Sequence, residues 1–309
     1  LKETERTQHM TVGEFYLALI DEFERNGKLG NRRAYKGSYN SLNSFTGDNL
    51  DICFEDITQG WLLNYESWLR AKGNKETTIS IQFRTLRSVY NKAIKRKCVG
   101  KEYYPFEDFH INKFNVHTDK RAISKNDVLK IISADLTGKS EYVKFSRDIF
   151  VFSYLCGGIN FCDVASLTKE NILNGRLFYV RQKTGKQINL CLTKNASAII
   201  DKYYKGGKGF LFPILDVTRH ITATQRENRL HKVLGQVDKS LKIVAQIAKV
   251  DVNLTTYVAR HSYATVLKRS GVPTSIICES LGHSSERVTQ IYLDSFENEQ
   301  IDEAMKNLL

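Results

Sequence analysis

The sequence predicts a mainly helical protein of two domains, with a small β-hairpin or sheet set into the second. Three observations carry this. Apolar residues recur at helical spacing along most of the chain, most clearly at Ile79, Phe83, Leu86, Tyr90 and Ile94. Two alternating segments, 177–181 and 187–192, flank the turn Thr184-Gly185-Lys186. A polar, basic stretch without periodicity, 113–121, divides the chain into a first domain at 10–112 and a second at 122–309. Residues 1–9 are expected to be an N-terminal extension.

The elements follow in order. Thr11 and Glu14 have capping-box form and open an amphipathic helix running to about Lys28. A second helix fits 32–45 and stops at Gly47. A third fits 59–72, capped by Thr58 and ended by Gly73. The fourth runs from about Glu76 to Lys97, with Arg84, Arg87, Lys95 and Arg96 mostly off its apolar face. Four such helices make a compact bundle. Tyr103-Tyr104-Pro105-Phe106 closes it. Ser124 then starts the first helix of the second domain, and helices resume after the hairpin near Lys194.

Charge narrows the partner. The 309 residues carry 46 Lys and Arg against 34 Asp and Glu, a net +12 spread along the chain. A folded, basic protein points to a polyanion, with nucleic acid first. No apolar run approaches the roughly 18 residues a membrane span needs. The six cysteines form no Cys-x-x-Cys pair and no zinc-finger spacing, so no disulfide and no metal is expected. A polar, charged start without a signal peptide and unpaired thiols together imply a cytoplasmic setting. With Leu1 standing where a Met would begin a chain, the sequence is expected to be a piece of a longer protein.

The chemistry gathers late in the sequence. Tyr257, Arg260 and His261 lie within one helical stretch, followed by Leu281-Gly282-His283-Ser284-Ser285 and then Tyr292. A phosphodiester in reaction carries charge on its non-bridging oxygens. Arginine suits them, because its planar fork donates two hydrogen bonds and stays charged. Histidine can donate a hydrogen bond or move a proton near neutral pH. A tyrosine hydroxyl can attack and store the bond as an ester, so resealing needs no ATP and no cofactor. Taken alone, Tyr292 would be a core aromatic beside Val288 and Ile291, and the turn before it reverses that reading.

This order of residues resembles the tyrosine recombinase family of phage and transposon integrases. The resemblance rests on Arg260-His261, on the Leu281–Ser285 turn, and on a Tyr nine residues after His283. It extends to Lys183 at the hairpin, where the family places a catalytic lysine. It implies a C-shaped clamp on duplex DNA, with a helical core-binding domain and a mixed α/β catalytic domain. Tyr292 would form a 3′-phosphotyrosine, and Lys183 would protonate the departing 5′-oxygen. Arg260 and His283 would hold the phosphate, with His261 as a further hydrogen-bonding or acid–base group. No metal is implied, because Arg and Lys supply the positive charge. Two rival readings are an inactive DNA-binding protein on the same scaffold and a topoisomerase-like relaxer.

Two positions depart from the family pattern. Tyr257 replaces a usual His, and a phenol is a poor base at neutral pH. It would orient phosphate. Asn160 falls where the family's first arginine belongs, and no Arg lies between Val151 and Asn171. Losing such a donor costs on the order of 3 kcal/mol of transition-state stabilisation. Arg147 is the first expected substitute and Arg181 the second. Asp163 is expected to cap or orient a helix.

DNA contacts are expected from Arg84, Arg87, Lys95, Arg96, Arg181 and Lys186. The tail from Asp294 carries Phe296, Ile301, Met305 and Leu308. By the resemblance it docks on a neighbouring protomer and gives a homotetramer on two DNA sites. Accessory DNA-bending proteins are further expected partners, in a bacterial or phage-encoded, nucleoid-associated setting. A small arm-binding domain is expected before residue 1.

Overall fold

The computed structural model describes residues 10–116, 122–207, 209–290 and 293. The chain divides into two compact units, Leu1–Thr118 and Asp119–Leu309. The division falls within the stretch expected to link two domains. The extension 1–9, linker residues 117–121 and the tail from 294 lie outside the described residues.

The first unit is a helical bundle. Helix α1 (Val12–Arg25) starts where Thr11 and Glu14 cap each other's backbone N–H groups. Helix α2 (Leu29–Phe45) begins three residues before its sequence-based start. Helix α3 (Gln59–Ala71) is capped by the Thr58 hydroxyl, and α4 is Glu76–Lys95. Ile79, Phe83, Leu86 and Tyr90 of α4 are fully buried, as their period requires. Tyr16, Tyr65 and Tyr90 are buried too, and each phenol finds a partner, in Ser38, Ser41 and the Phe54 carbonyl. Phe114, expected in the linker, instead stacks on Phe83 at 5.3 Å and completes this core. The run 113–121 reads as polar overall, which hides one aromatic anchor.

The second unit builds its core on α6. Helix α5 (Lys125–Ile132) is capped by Ser124, and α6 (Glu141–Leu155) by Ser140. Ile149, Phe150 and Phe152 are fully buried, so α6 is apolar on most sides and lies inside the unit. Short α7 (Phe161–Ser166) follows. Strands β1 (Ile172–Leu173), β2 (Arg176–Val180) and β3 (Gln187–Cys191) form an antiparallel sheet in the order β1-β2-β3. The two-residue β1 was not foreseen, being too short to show alternation. Helices α8 (Lys194–Tyr203), α9 (Ala223–Ile247), α10 (Thr256–Arg269), α11 (Thr274–Ser280) and α12 (Glu286–Gln290) complete the unit. Ser262 of α10 accepts the Ile123 backbone N–H, tying the start of the unit to its centre. Ala264, Ile277, Leu281 and Leu293 form a smaller core joining α10, α11 and the segment beyond α12. Among the described residues, no helix is long and apolar enough to cross a membrane.

Candidate active site

Two glycine turns bring the site together. The first leads out of α6 through Gly157 and Gly158. Gly158 has φ +63°, and a Cβ there would stand 2.7 Å from the Arg260 Cα. Only glycine lets this loop lie against α10. The second turn ends α11. Gly282 has φ +61°, its N–H reaches the Glu279 carbonyl and the His283 N–H reaches the Cys278 carbonyl. This is a glycine helix stop. A Cβ on Gly282 would press on Ile188 at 2.8 Å and on the Arg181 side chain at 3.2 Å.

Successive carbonyls of this second turn receive three cations. The Leu281 carbonyl accepts from Arg260 Nη2. The Gly282 carbonyl accepts from Arg181 Nη1 at 2.8 Å and from the Thr184 hydroxyl at 3.0 Å. The His283 carbonyl accepts from Lys186 Nζ at 2.5 Å. Arg260 also donates through Nη1 to the Gly158 carbonyl at 2.8 Å. Both arginines are buried, Arg260 at 1 % exposure and Arg181 at 2 %. Arg181 Nε is buried and has no hydrogen-bond partner among the described residues.

His283 lies among them at 2 % exposure. Its Nε2 is 2.9 Å from Arg260 Nη2, and its Nδ1 is 2.9 Å from the Thr289 hydroxyl. A guanidinium only donates, so Nε2 is the acceptor and Nδ1 carries the proton. Burial is the main reason its pKa is pushed down to about 3, and Arg260, Arg181, Lys183 and Lys186 add to it. The ring is therefore neutral near pH 7.

Lys183 stands in the exposed turn between β2 and β3. Asp163 of α7 organises that turn. Its Oδ1 accepts the Gln182 backbone N–H at 3.0 Å, so it steadies the hairpin and does not cap its own helix. Burial raises the Asp163 pKa, with the Gln182 bond and the charges of Arg181 and Arg260 acting against it. Tyr257 and His261 pack edge to face on α10 with ring centroids 4.8 Å apart, Tyr257 being exposed. Among the described residues, no three His, Cys, Asp or Glu side chains are grouped as a metal would need.

Two sequence-based assignments change here. Arg147, the first expected substitute for the absent arginine, bonds Asp148 at 2.9 Å. Asp148 also receives Lys202 and the Tyr203 hydroxyl, so Arg147 belongs to an ion cluster between α6 and α8. Arg147 points there because the inner faces of α6 are filled by Phe150 and Phe152. Arg181, the second candidate, stands with Arg260 at the 281–283 turn. Lys186, expected as a DNA contact, is anchored to the His283 carbonyl. Asn160 begins α7 without a side-chain cap and is partly buried. Tyr292 lies outside the described residues, and Thr289 and Leu293 on either side of it are buried.

In the first unit, Arg84, Arg87 and Lys95 are exposed on α4. Arg96 is not part of that free stripe. It pairs with Glu22 at 2.7 Å and covers the Phe15 ring.

Residues 121–299 match the model of the phage integrase family, and residues 11–114 match the phage integrase SAM-like domain. The chain belongs to the phage integrase family. As such it is a site-specific tyrosine recombinase, an enzyme that cuts and rejoins DNA. The tyrosine recombinase XerD of Halalkalibacterium halodurans is 24% identical over 239 residues, 77% of each chain. The Tn1549 transposon integrase, solved with a circular intermediate DNA, shares the fold with a TM-score of 0.66 at 16% identity, covering 96% of this integrase and 99% of that chain. A lambda integrase tetramer bound to a Holliday junction has a TM-score of 0.60 at 16% identity, covering 89% and 77%. Sequence reasoning missed Thr289, whose hydroxyl meets His283 Nδ1 in this integrase. Its only signal was a hydroxyl three residues before Tyr292.

Proposed function

We propose that this integrase attacks a DNA phosphodiester with the Tyr292 hydroxyl, forms a 3′-phosphotyrosine, and reseals by the reverse step. Arg260 and Arg181 hold the non-bridging oxygens, and His283 borders the same phosphate. Lys183, on the exposed hairpin turn, gives its proton to the departing 5′-oxygen. His261 is a further hydrogen-bonding or acid–base group, and Tyr257, edge-on to it, orients the phosphate. Arg181 takes the duty of the arginine absent at Asn160.

One observation carries the reading. Two buried arginines converge on adjacent carbonyls of the turn at 281–283, where preorganised donors are most effective against developing charge. The units would correspond to the core-binding domain at 10–112 and the catalytic domain at 122–309. Arg84, Arg87 and Lys95 would contact DNA phosphates from the first unit. The tail from 294 would join protomers into a tetramer on two DNA sites, as the lambda integrase tetramer on a Holliday junction suggests. Accessory DNA-bending proteins and a cytoplasmic setting fit this role.

The test uses a nicked suicide duplex carrying the site that the protein selects from a random-sequence pool. A covalent protein–DNA adduct is expected on a denaturing gel. Tyr292→Phe should abolish it while leaving duplex affinity intact. An adduct that persists in Tyr292→Phe refutes the nucleophile.

A further inference from the structure

The Thr289 hydroxyl is a polar group whose place in the reaction is not yet assigned. It is fully buried on α12, and its hydrogen-bond partner among the described residues is His283 Nδ1 at 2.9 Å. Thr289 precedes Tyr292 by three residues. It thus ties the segment leading to the nucleophile to the ring that borders the phosphate.

The donor pattern on that ring has a consequence. With Arg260 donating to Nε2, the ring shows the site a lone pair and not a proton. A phosphate oxygen needs a donor there. A second proton on the ring is opposed by burial and by Arg260 of α10 and Arg181, Lys183 and Lys186 of the hairpin region. The single negative charge of a phosphodiester does not offset those four cations. The remaining route keeps the ring neutral and moves its proton. Nδ1 gives its proton to water, Nε2 takes one from water, and the partner of Nδ1 must change from acceptor to donor. A hydroxyl does this by rotating about its C–O bond, which a carbonyl, a carboxylate or an amide N–H cannot do.

We propose that Thr289 is a positioning residue that lets His283 exchange tautomers, accepting from Nδ1–H in the free enzyme and donating to Nδ1 once Arg260 Nη2 has turned from Nε2 to the scissile phosphate and Nε2–H binds that phosphate beside it. This rests on the functional reading above, in which His283 borders that phosphate. On α11, the Cys278 thiol lies 3.9 Å from the His283 carbonyl.

The experiment has two readouts. Two-bond ¹⁵N–¹H correlations of the His283 ring should show Nδ1–H in the free protein. They should show Nε2–H in the Tyr292→Phe protein bound to the suicide duplex. Single-turnover cleavage should fall about 10–100-fold in Thr289→Val, the usual range for removing a group that orients a site histidine. Duplex affinity should be unchanged, and Thr289→Ser should recover most of the rate. Wild-type cleavage by Thr289→Val, a Ser variant as slow as Val, or an Nε2–H ring in the free protein would each overturn the proposal. If Thr289→Val does not fold, the tautomers of the Thr289-containing protein decide. An adduct surviving Tyr292→Phe instead overturns the functional reading, independently of the Thr289 result.

Discussion

The cations of α4 and the cations at the 281–283 turn carry the same charge in opposite surroundings. Arg84, Arg87 and Lys95 are exposed on α4. Arg181 and Arg260 are buried and fixed by backbone carbonyls. Exposed cations act through a screened field and hold DNA without a precise geometry. Buried ones meet a ligand in low dielectric with no rearrangement left to make. The difference teaches that burial, more than residue type, sets how far a cation is screened and how firmly it is held.

The largest effect expected from this comparison lies at the buried pair. Arg181→Ala should lower single-turnover cleavage by about 10²–10³-fold, the cost of one preorganised donor. Arg147→Ala should leave cleavage near the wild-type rate, because Asp148 already occupies its guanidinium. Equal losses in both would remove the distinction between the two arginines.

A smaller effect concerns His283. Its folded pKa of about 3 lies below its ordinary value of 6.5. The unfolded chain therefore binds a proton that the folded one refuses. Stability is unaffected above pH 6.5 and falls as the pH drops from there toward 3, by up to about 1.4 kcal/mol per pH unit. Urea unfolding between pH 6.5 and 4.5 should show this slope, and His283→Gln should flatten it. An unchanged slope in the variant would place the titration elsewhere.

The smallest effect belongs to α4. Each of Arg84→Ala, Arg87→Ala and Lys95→Ala should weaken duplex binding about equally for any sequence. Each should reduce the salt dependence of log K by about 0.9. Arg96→Ala should not, because Arg96 is held by Glu22. Binding titrations between 50 and 200 mM salt, a range in which such contacts respond strongly, would separate the two.

Much of this was legible in the sequence. The caps at Thr11, Thr58 and Ser124, the apolar period of α4 and the hairpin all stand close to where pattern placed them. Those signals are local, and a helix cap or a strand turn is decided within a few residues. Arg260 and His283 stand near one another in sequence, and pattern singled out both; the fold brings them within 2.9 Å. Contacts that long-range packing decides are not legible in this way. Arg147 and Arg181 are both arginines near the right motif, and only the fold shows one meeting Asp148 and the other Gly282, a hundred residues downstream. Phe114 was hidden for the same reason: its partner Phe83 is thirty-one positions away.

The carbonyl anchors at 281–283 carry one more consequence. A carboxylate cancels the charge it binds, as Asp148 does for Arg147. A carbonyl orients a guanidinium and leaves its full charge in place. Arg181, Lys186 and Arg260, held in this way around one turn, repel one another, and the charge of Asp163 offsets only part of that repulsion. A polyanion entering the turn relieves it. DNA should then act on this enzyme as a folding ligand as well as a substrate, raising the melting temperature of the second unit in proportion to how well its phosphate fills the space between the cations.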